Sequence, residues 1–231
     1  MWRTWHNTVA LTGGTAMISE PVNKPDVQAV WRNYEIMRPA SRENSRLLTL
    51  GKSDKNSIFG FSADRTWGDF AVYNLYNSDK NKPVDLTLDF TDAGLPAGTR
   101  CAVYNFWENK VVGYATDSFT GKNIPKNGSL LLRFTPLTGD FSQLVGSNLH
   151  LSIGATEIEE VYTTSTSIKI MLSSAGAQTG DLIFYSTKPL GAGVSENCSI
   201  SSVQALGDNL WKVSLKGRTW NTKQQVNLII K

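Results

Sequence analysis

The chain has 231 residues, a net charge of +3 from 23 Lys and Arg against 20 Asp and Glu, and 40% hydrophobic residues. That length buries a sizeable core as one large domain or two smaller ones. The charge excess is mild and gathers into no basic cluster that would follow a phosphate backbone, and no apolar run is long enough to span a bilayer. The first ten residues, MWRTWHNTVA, lack the apolar stretch and cleavage site of a signal peptide. Cys101 and Cys198 lie far apart and outside any metal-ligand spacing, so they read as plain thiols and not as a disulfide framework. Two glycosylation sequons, at Asn127 and Asn197, carry meaning only in a secretory pathway.

Trp2, Trp5 and Val9 recur at helical spacing over residues 2–12, and Gly13-Gly14 stops that helix. Residues 15–19, TAMIS, form a short apolar run of the kind buried on both faces in parallel sheets. After a turn with Pro21, Asn23 and Pro25, residues 26–37 place Val27, Val30, Trp31, Tyr34 and Met37 on one helical stripe. Asn23 or Asp26 can cap that helix and Pro39 closes it. From Leu47 onward the period becomes two: Val84, Leu86, Leu88 and Phe90 alternate with polar residues, as do Ile168, Ile170 and Leu172, then Trp211, Val213 and Leu215. Further strands are expected at 57–63, 70–76, 101–107, 130–134, 148–153, 181–186 and 226–230, between turns such as Asp92-Ala93-Gly94 and Lys126-Asn127-Gly128.

This pattern predicts a mainly β chain of antiparallel sandwiches preceded by a helix–strand–helix segment. A loop of small and polar residues near 139–148 suggests a second boundary. The expected domains are therefore 1–40, a sandwich at 41–147 and a smaller β module at 148–231, with a single larger sandwich as the alternative. A lone buried strand cannot satisfy its own backbone. The opening helix–strand–helix therefore reads as the last units of a βα repeat, the commonest being the (β/α)8 barrel, whose remainder would lie upstream. The other reading is two helices and a loop packed on a sandwich.

The residues add a resemblance. RTWHNTVALTGGTAMISEP (3–21) resembles the end of the catalytic barrel in glycoside hydrolase families 27 and 36, the α-galactosidases or melibiases. There a helix leads through a small-residue break into the eighth strand, which ends in a polar pair. Here that pair is Ser19-Glu20, with Glu where many relatives carry Asp. AVYNFWENKVVG (102–113) is similar to a hairpin of the family's C-terminal sandwich, and SNLHLSIGATEIEEV (147–161) resembles an extra β module in some bacterial members. The resemblance implies a bacterial, periplasmic or secreted parent enzyme that hydrolyses terminal α-galactosidic bonds. It also implies that both catalytic aspartates sit on the fourth and sixth barrel strands, ahead of Met1. This chain would then be an accessory, structural part with no catalytic residue of its own.

Other carboxylates do not replace that pair. Glu159 and Glu160 are adjacent and point to opposite faces of a strand, and Asp89 and Asp92 read as solvated charge. Ser19 and Glu20, at the C-terminal rim of a barrel strand, are candidates to line the sugar pocket. Trp67 and Trp220 lie in turn-like stretches and are candidates for rings that stack on sugar; the bland reading folds each ring over a sandwich end. The other tryptophans read as packing. His6 and His150 have no partners at ligand spacing, so neither a metal nor a cofactor is expected. Two functions compete: the C-terminal part of an α-galactosidase-like enzyme, or a free-standing carbohydrate-binding module. The expected partner is carbohydrate, with no nucleic acid or membrane, and the barrel-derived segment would favour self-association.

Overall fold

The computed structural model describes residues 2–13, 23–51, 56–139, 142–218 and 222–231. Three helices open it: α1 (Trp2–Thr12), α2 (Pro25–Ala29) and α3 (Trp31–Glu35). The strands that follow are β1 (Arg46–Leu47), β2 (Asn56–Ala63), β3 (Phe70–Asn77), β4 (Val84–Asp89), β5 (Arg100–Asn105), β6 (Lys110–Thr116), β7 (Ser118–Ile124) and β8 (Ser129–Pro136). A second set comprises β9 (Gln143–Ser147), β10 (Ile158–Thr163), β11 (Ser167–Leu172), β12 (Gly180–Tyr185), β13 (Leu190–Ala192), β14 (Ser199–Gly207), β15 (Leu210–Lys216) and β16 (Gln224–Ile230).

Strands β1–β8 build the first sandwich. Its main sheet is antiparallel, in the order β1-β2-β3-β8-β5-β6, and the pair β4-β7 covers one face. Alternation along each strand decides which core a side chain enters. On β3, Ala71, Tyr73 and Leu75 face the β4-β7 pair, where they meet Leu86, Leu88 and Phe90. Phe90 and Phe119 each set an edge against Phe134, with centroids 5.4 and 5.8 Å apart. Leu86, Leu88 and Phe90 are buried and Val84 packs beside them, as the period-two pattern predicts.

The opposite face of the same sheet is also buried. Phe70, Val72, Tyr104 and Leu131 pack there against Leu11 of α1, Ile36 and Met37 after α3, and Val145 and Ile183 of the second set of strands. That second set forms its own sandwich, sheet β10-β11-β16-β13 against sheet β14-β15-β12-β9. Its core holds Ile168, Ile170, Leu182, Phe184, Val213 and Leu228. Sheet β14-β15-β12-β9 sends Leu182 and Phe184 into this core, while Val145 and Ile183 point back to the first sandwich.

Three expectations are corrected. The helix expected over 26–37 is two short helices, because Val30 leaves helical geometry at φ −110° and ψ 11°. The strand expected at 148–153 is a run of turns, with Ile153 at φ 46°. Leu149, Leu151 and Ile153 are buried all the same, plugging the space between the sandwiches. Their alternation reports burial, while their backbone bonds go elsewhere: the Leu151 N–H donates to Ile36 O (2.9 Å) and Leu149 O accepts from Ala177 N (2.7 Å). Finally, β9 pairs with β12, so the second sandwich begins ahead of residue 148. The expected strand at 15–19 lies outside the described residues.

Candidate functional site

A set of buried polar groups lies at the seam between the sandwiches. Arg133 lies on β8 in the otherwise apolar run Leu130–Phe134. Strand alternation turns it toward the seam together with Leu131. It is fully buried. Its Nε donates to Thr135 Oγ1 (2.9 Å), Nη1 to Ile153 O (2.7 Å) and Nη2 to Leu144 O (2.9 Å). The Phe70 ring lies 3.8 Å from the guanidinium carbon. Desolvation pushes the Arg133 pKa down to about 9.

Behind Arg133 a chain of buried groups continues. Gly154 adopts φ +108°, and a Cβ there would sit 2.4 Å from Arg133 Nη1. The Gly154 N–H donates to Glu157 Oε1 (2.8 Å), and the Ser152 hydroxyl lies 2.8 Å from His150 Nδ1 and 3.3 Å from Glu157 Oε2. His150 is clamped between Ser152 and Pro39. Its Nδ1 accepts the Ser152 N–H (3.0 Å), so its proton sits on Nε2 and is donated to Pro39 O (2.7 Å). Burial holds the His150 pKa below its ordinary value. Arg218 fastens the far side by donating to the carbonyls of Ala177 (2.8 Å) and Ala175 (2.9 Å). These groups are satisfied mainly by backbone and are buried. They can orient the modules but cannot reach a substrate.

Two clefts open beside the seam. The larger, about 700 Å³, lies under Arg38, Arg42, Glu43, Arg65, Glu159 and Ser174. Arg65 is paired with Glu43, and Glu159 with Lys223 at 3.0 Å. The smaller, about 350 Å³, is lined by Arg100, Tyr114, Tyr185, Asp208 and Asn209. There the Arg100 guanidinium lies 4.1 Å from the Tyr114 ring centroid, and Tyr114 and Tyr185 meet edge to face at 6.4 Å. The Tyr114 hydroxyl donates to Asp208 O (3.1 Å) across the seam. Asp208 and Asn209 both have positive φ, 49° and 61°, in the tight turn that joins β14 to β15.

Of the residues singled out from sequence, Ser19, Glu20 and Trp220 lie outside the described residues. Trp67 is half-buried. It stacks on Phe70 at 5.3 Å, faces the Arg133 guanidinium and packs against both cores. The ring therefore folds over a sandwich end instead of standing out as a platform. Asp89, Asp92, Glu159 and Glu160 are exposed. Burial pushes the Cys101 thiol up to about 11, and both cysteines are free. Among the described residues no three His, Cys, Asp or Glu gather as a metal site. Sequence reading missed both clefts. The tyrosine cleft had one signal, the Asp208-Asn209 turn between strands, and the arginine cleft had another, two arginines in RPASR (38–42).

Comparison with known proteins supplies a family for part of the chain. Residues 62–134 match the family described as Alpha galactosidase C-terminal beta sandwich domain. A comparison with curated proteins found no match. Among solved structures, α-galactosidase I from Mortierella vinacea matches at 14% identity and a TM-score of 0.45, over 58% of this chain and 34% of that one. A GH27 β-L-arabinopyranosidase from Geobacillus stearothermophilus, solved in complex with arabinose, matches at 12% identity and a TM-score of 0.47, over 59% of this chain and 30% of that one. An isomalto-dextranase from Arthrobacter globiformis T6, complexed with panose, matches at 13% identity and a TM-score of 0.42, over 99% of this chain and 44% of that one. The chain thus spans between about a third and under half of these proteins' lengths. The segment 62–134, which runs from the end of β2 to β8, belongs to the alpha-galactosidase C-terminal β-sandwich family.

Proposed function

We propose that this chain is the non-catalytic β region of a carbohydrate-active enzyme of the α-galactosidase type, bracing a catalytic barrel with its first sandwich. The observation that carries this reading is the family match over 62–134. The chemistry of the clefts agrees with it. A retaining glycosidase needs two carboxyl groups about 5 Å apart across the scissile bond. Among the described residues the larger cleft offers Glu43 and Glu159, each already in an ion pair, and the smaller offers Asp208. In this arrangement Ser19 and Glu20 would line the barrel's rim, as the sequence resemblance implies.

The purified chain is expected to release no nitrophenol from a nitrophenyl α-galactoside. Turnover that a single substitution within the chain abolishes would overturn the proposal. A free-standing carbohydrate-binding module is the second reading, favoured by the Tyr114–Tyr185 pair beside Asp208 and Asn209. It requires galactoside binding that Tyr185→Ala removes.

A further inference from the structure

We propose that the larger cleft is a binding site for an acidic saccharide, with Arg38 and Arg42 receiving its carboxylate. Three arginines and two glutamates line this cleft. Three of those five charges are already committed: Arg65 holds Glu43 and also donates to Ala155 O (3.4 Å). Glu159 is held from the rim by Lys223 at 3.0 Å. What remains is Arg38 and Arg42, whose guanidiniums have no ion pair or hydrogen bond among the described residues. Two unpaired like charges on one concave wall attract an anion, and the planar fork of a guanidinium matches a carboxylate bidentately.

The wall that carries them is already fixed. The Arg38 carbonyl accepts the Gly176 N–H (3.0 Å) and the Pro39 carbonyl accepts from His150 Nε2 (2.7 Å). Further on, the Ser41 N–H donates to Ala10 O (2.9 Å) and the Ser41 hydroxyl accepts the Glu43 N–H (3.2 Å). The backbone between the two arginines is therefore held to α1 on one side and to the second sandwich on the other. A preformed wall lowers the ordering cost of binding.

The remaining lining favours a sugar over a bare ion. Thr156 and Ser174 present hydroxyl groups, and about 700 Å³ lies within the range of small-ligand pockets. The saccharide part of this assignment rests on the carbohydrate reading above; the anion part rests on the cleft alone.

The test is titration calorimetry of the full chain with digalacturonate, the neutral digalactoside and inorganic sulfate. Digalacturonate is expected to bind, the neutral sugar not to bind, and Arg38→Ala/Arg42→Ala to weaken digalacturonate by about tenfold or more. Both side chains are exposed, so the double variant should keep its unfolding temperature. Arg38→Lys/Arg42→Lys, which keeps the charge and removes the forks, is expected to fall between the two. No digalacturonate binding, undiminished binding in the alanine variant, or equal binding of the neutral sugar overturns the site. Sulfate binding as tightly as digalacturonate overturns the saccharide assignment. None of these outcomes touches the hydrolysis assay, so the accessory role stands or falls separately.

Discussion

Arg133 and His150 show how single buried groups govern this seam. Arg133 carries a charge into a space that contains no charged hydrogen-bond partner, and two backbone carbonyls depend on it. Replacing it by Met leaves Ile153 O and Leu144 O unpaired. Each buried unsatisfied group costs about 1–3 kcal/mol, offset in part by the desolvation that the guanidinium no longer bears, so a net loss of about 2–4 kcal/mol is expected. Urea unfolding should show a lower midpoint at unchanged slope. His150 makes a different prediction. Burial disfavours its charged form, outweighing the attraction of Glu157 and adding to the repulsion of Arg218, and the Ser152 N–H already occupies Nδ1. The unfolded ring takes up a proton as pH falls through the ordinary value of 6.5, while the folded ring refuses it until lower pH. The stability present above that pH is therefore lost as pH falls below it. A melting temperature that declines from pH 7.5 to 5.5, with a flatter profile in His150→Asn, is the expected result.

At the scale of elements, contact between sandwiches depends on a missing side chain. Gly146 on β9 faces Tyr104 on β5, and a Cβ there would lie 2.5 Å from the tyrosine ring. Gly146→Ala should push β9 off the first sandwich at a cost of about 1–3 kcal/mol. Combining it with Tyr104→Leu should restore part of that loss, so a double-mutant cycle should show favourable coupling. Such contacts were invisible in the sequence, since a glycine inside a strand marks close approach without naming the partner. What was legible came from periodicity. Strands β4, β11 and β15 announced their inward residues because one face meets solvent or polar groups. Strand β14 has an exposed burial pattern along most of its length and gave no such signal. The run 148–153 misled because residues that plug a gap alternate as strand residues do. Neither the arginine nor the tyrosine cleft could be assembled from sequence, since each gathers residues more than a hundred positions apart.

At the scale of the molecule, the main sheet of the first sandwich is the middle layer of a stack. The β4-β7 pair lies on one face, and α1 with the second sandwich lies on the other. Each sandwich has a core of its own, but a third core is shared between them, and the bonds of Arg133, Tyr114 and Asn109, the last to Asp181 at 2.6 Å, cross the seam. Calorimetry should therefore give one transition with equal calorimetric and van't Hoff enthalpies, whereas independent modules would give two. The shared layer also bears on how such chains are recombined. A domain that owns both faces of its core can be moved between proteins as a cassette. Here a cut after Pro136 would strip Tyr104, Phe70 and Leu131 of their cover, and a graft of β9–β16 onto a foreign partner would need a surface shaped to Val145 and Ile183. The two sandwiches are portable together and not apart.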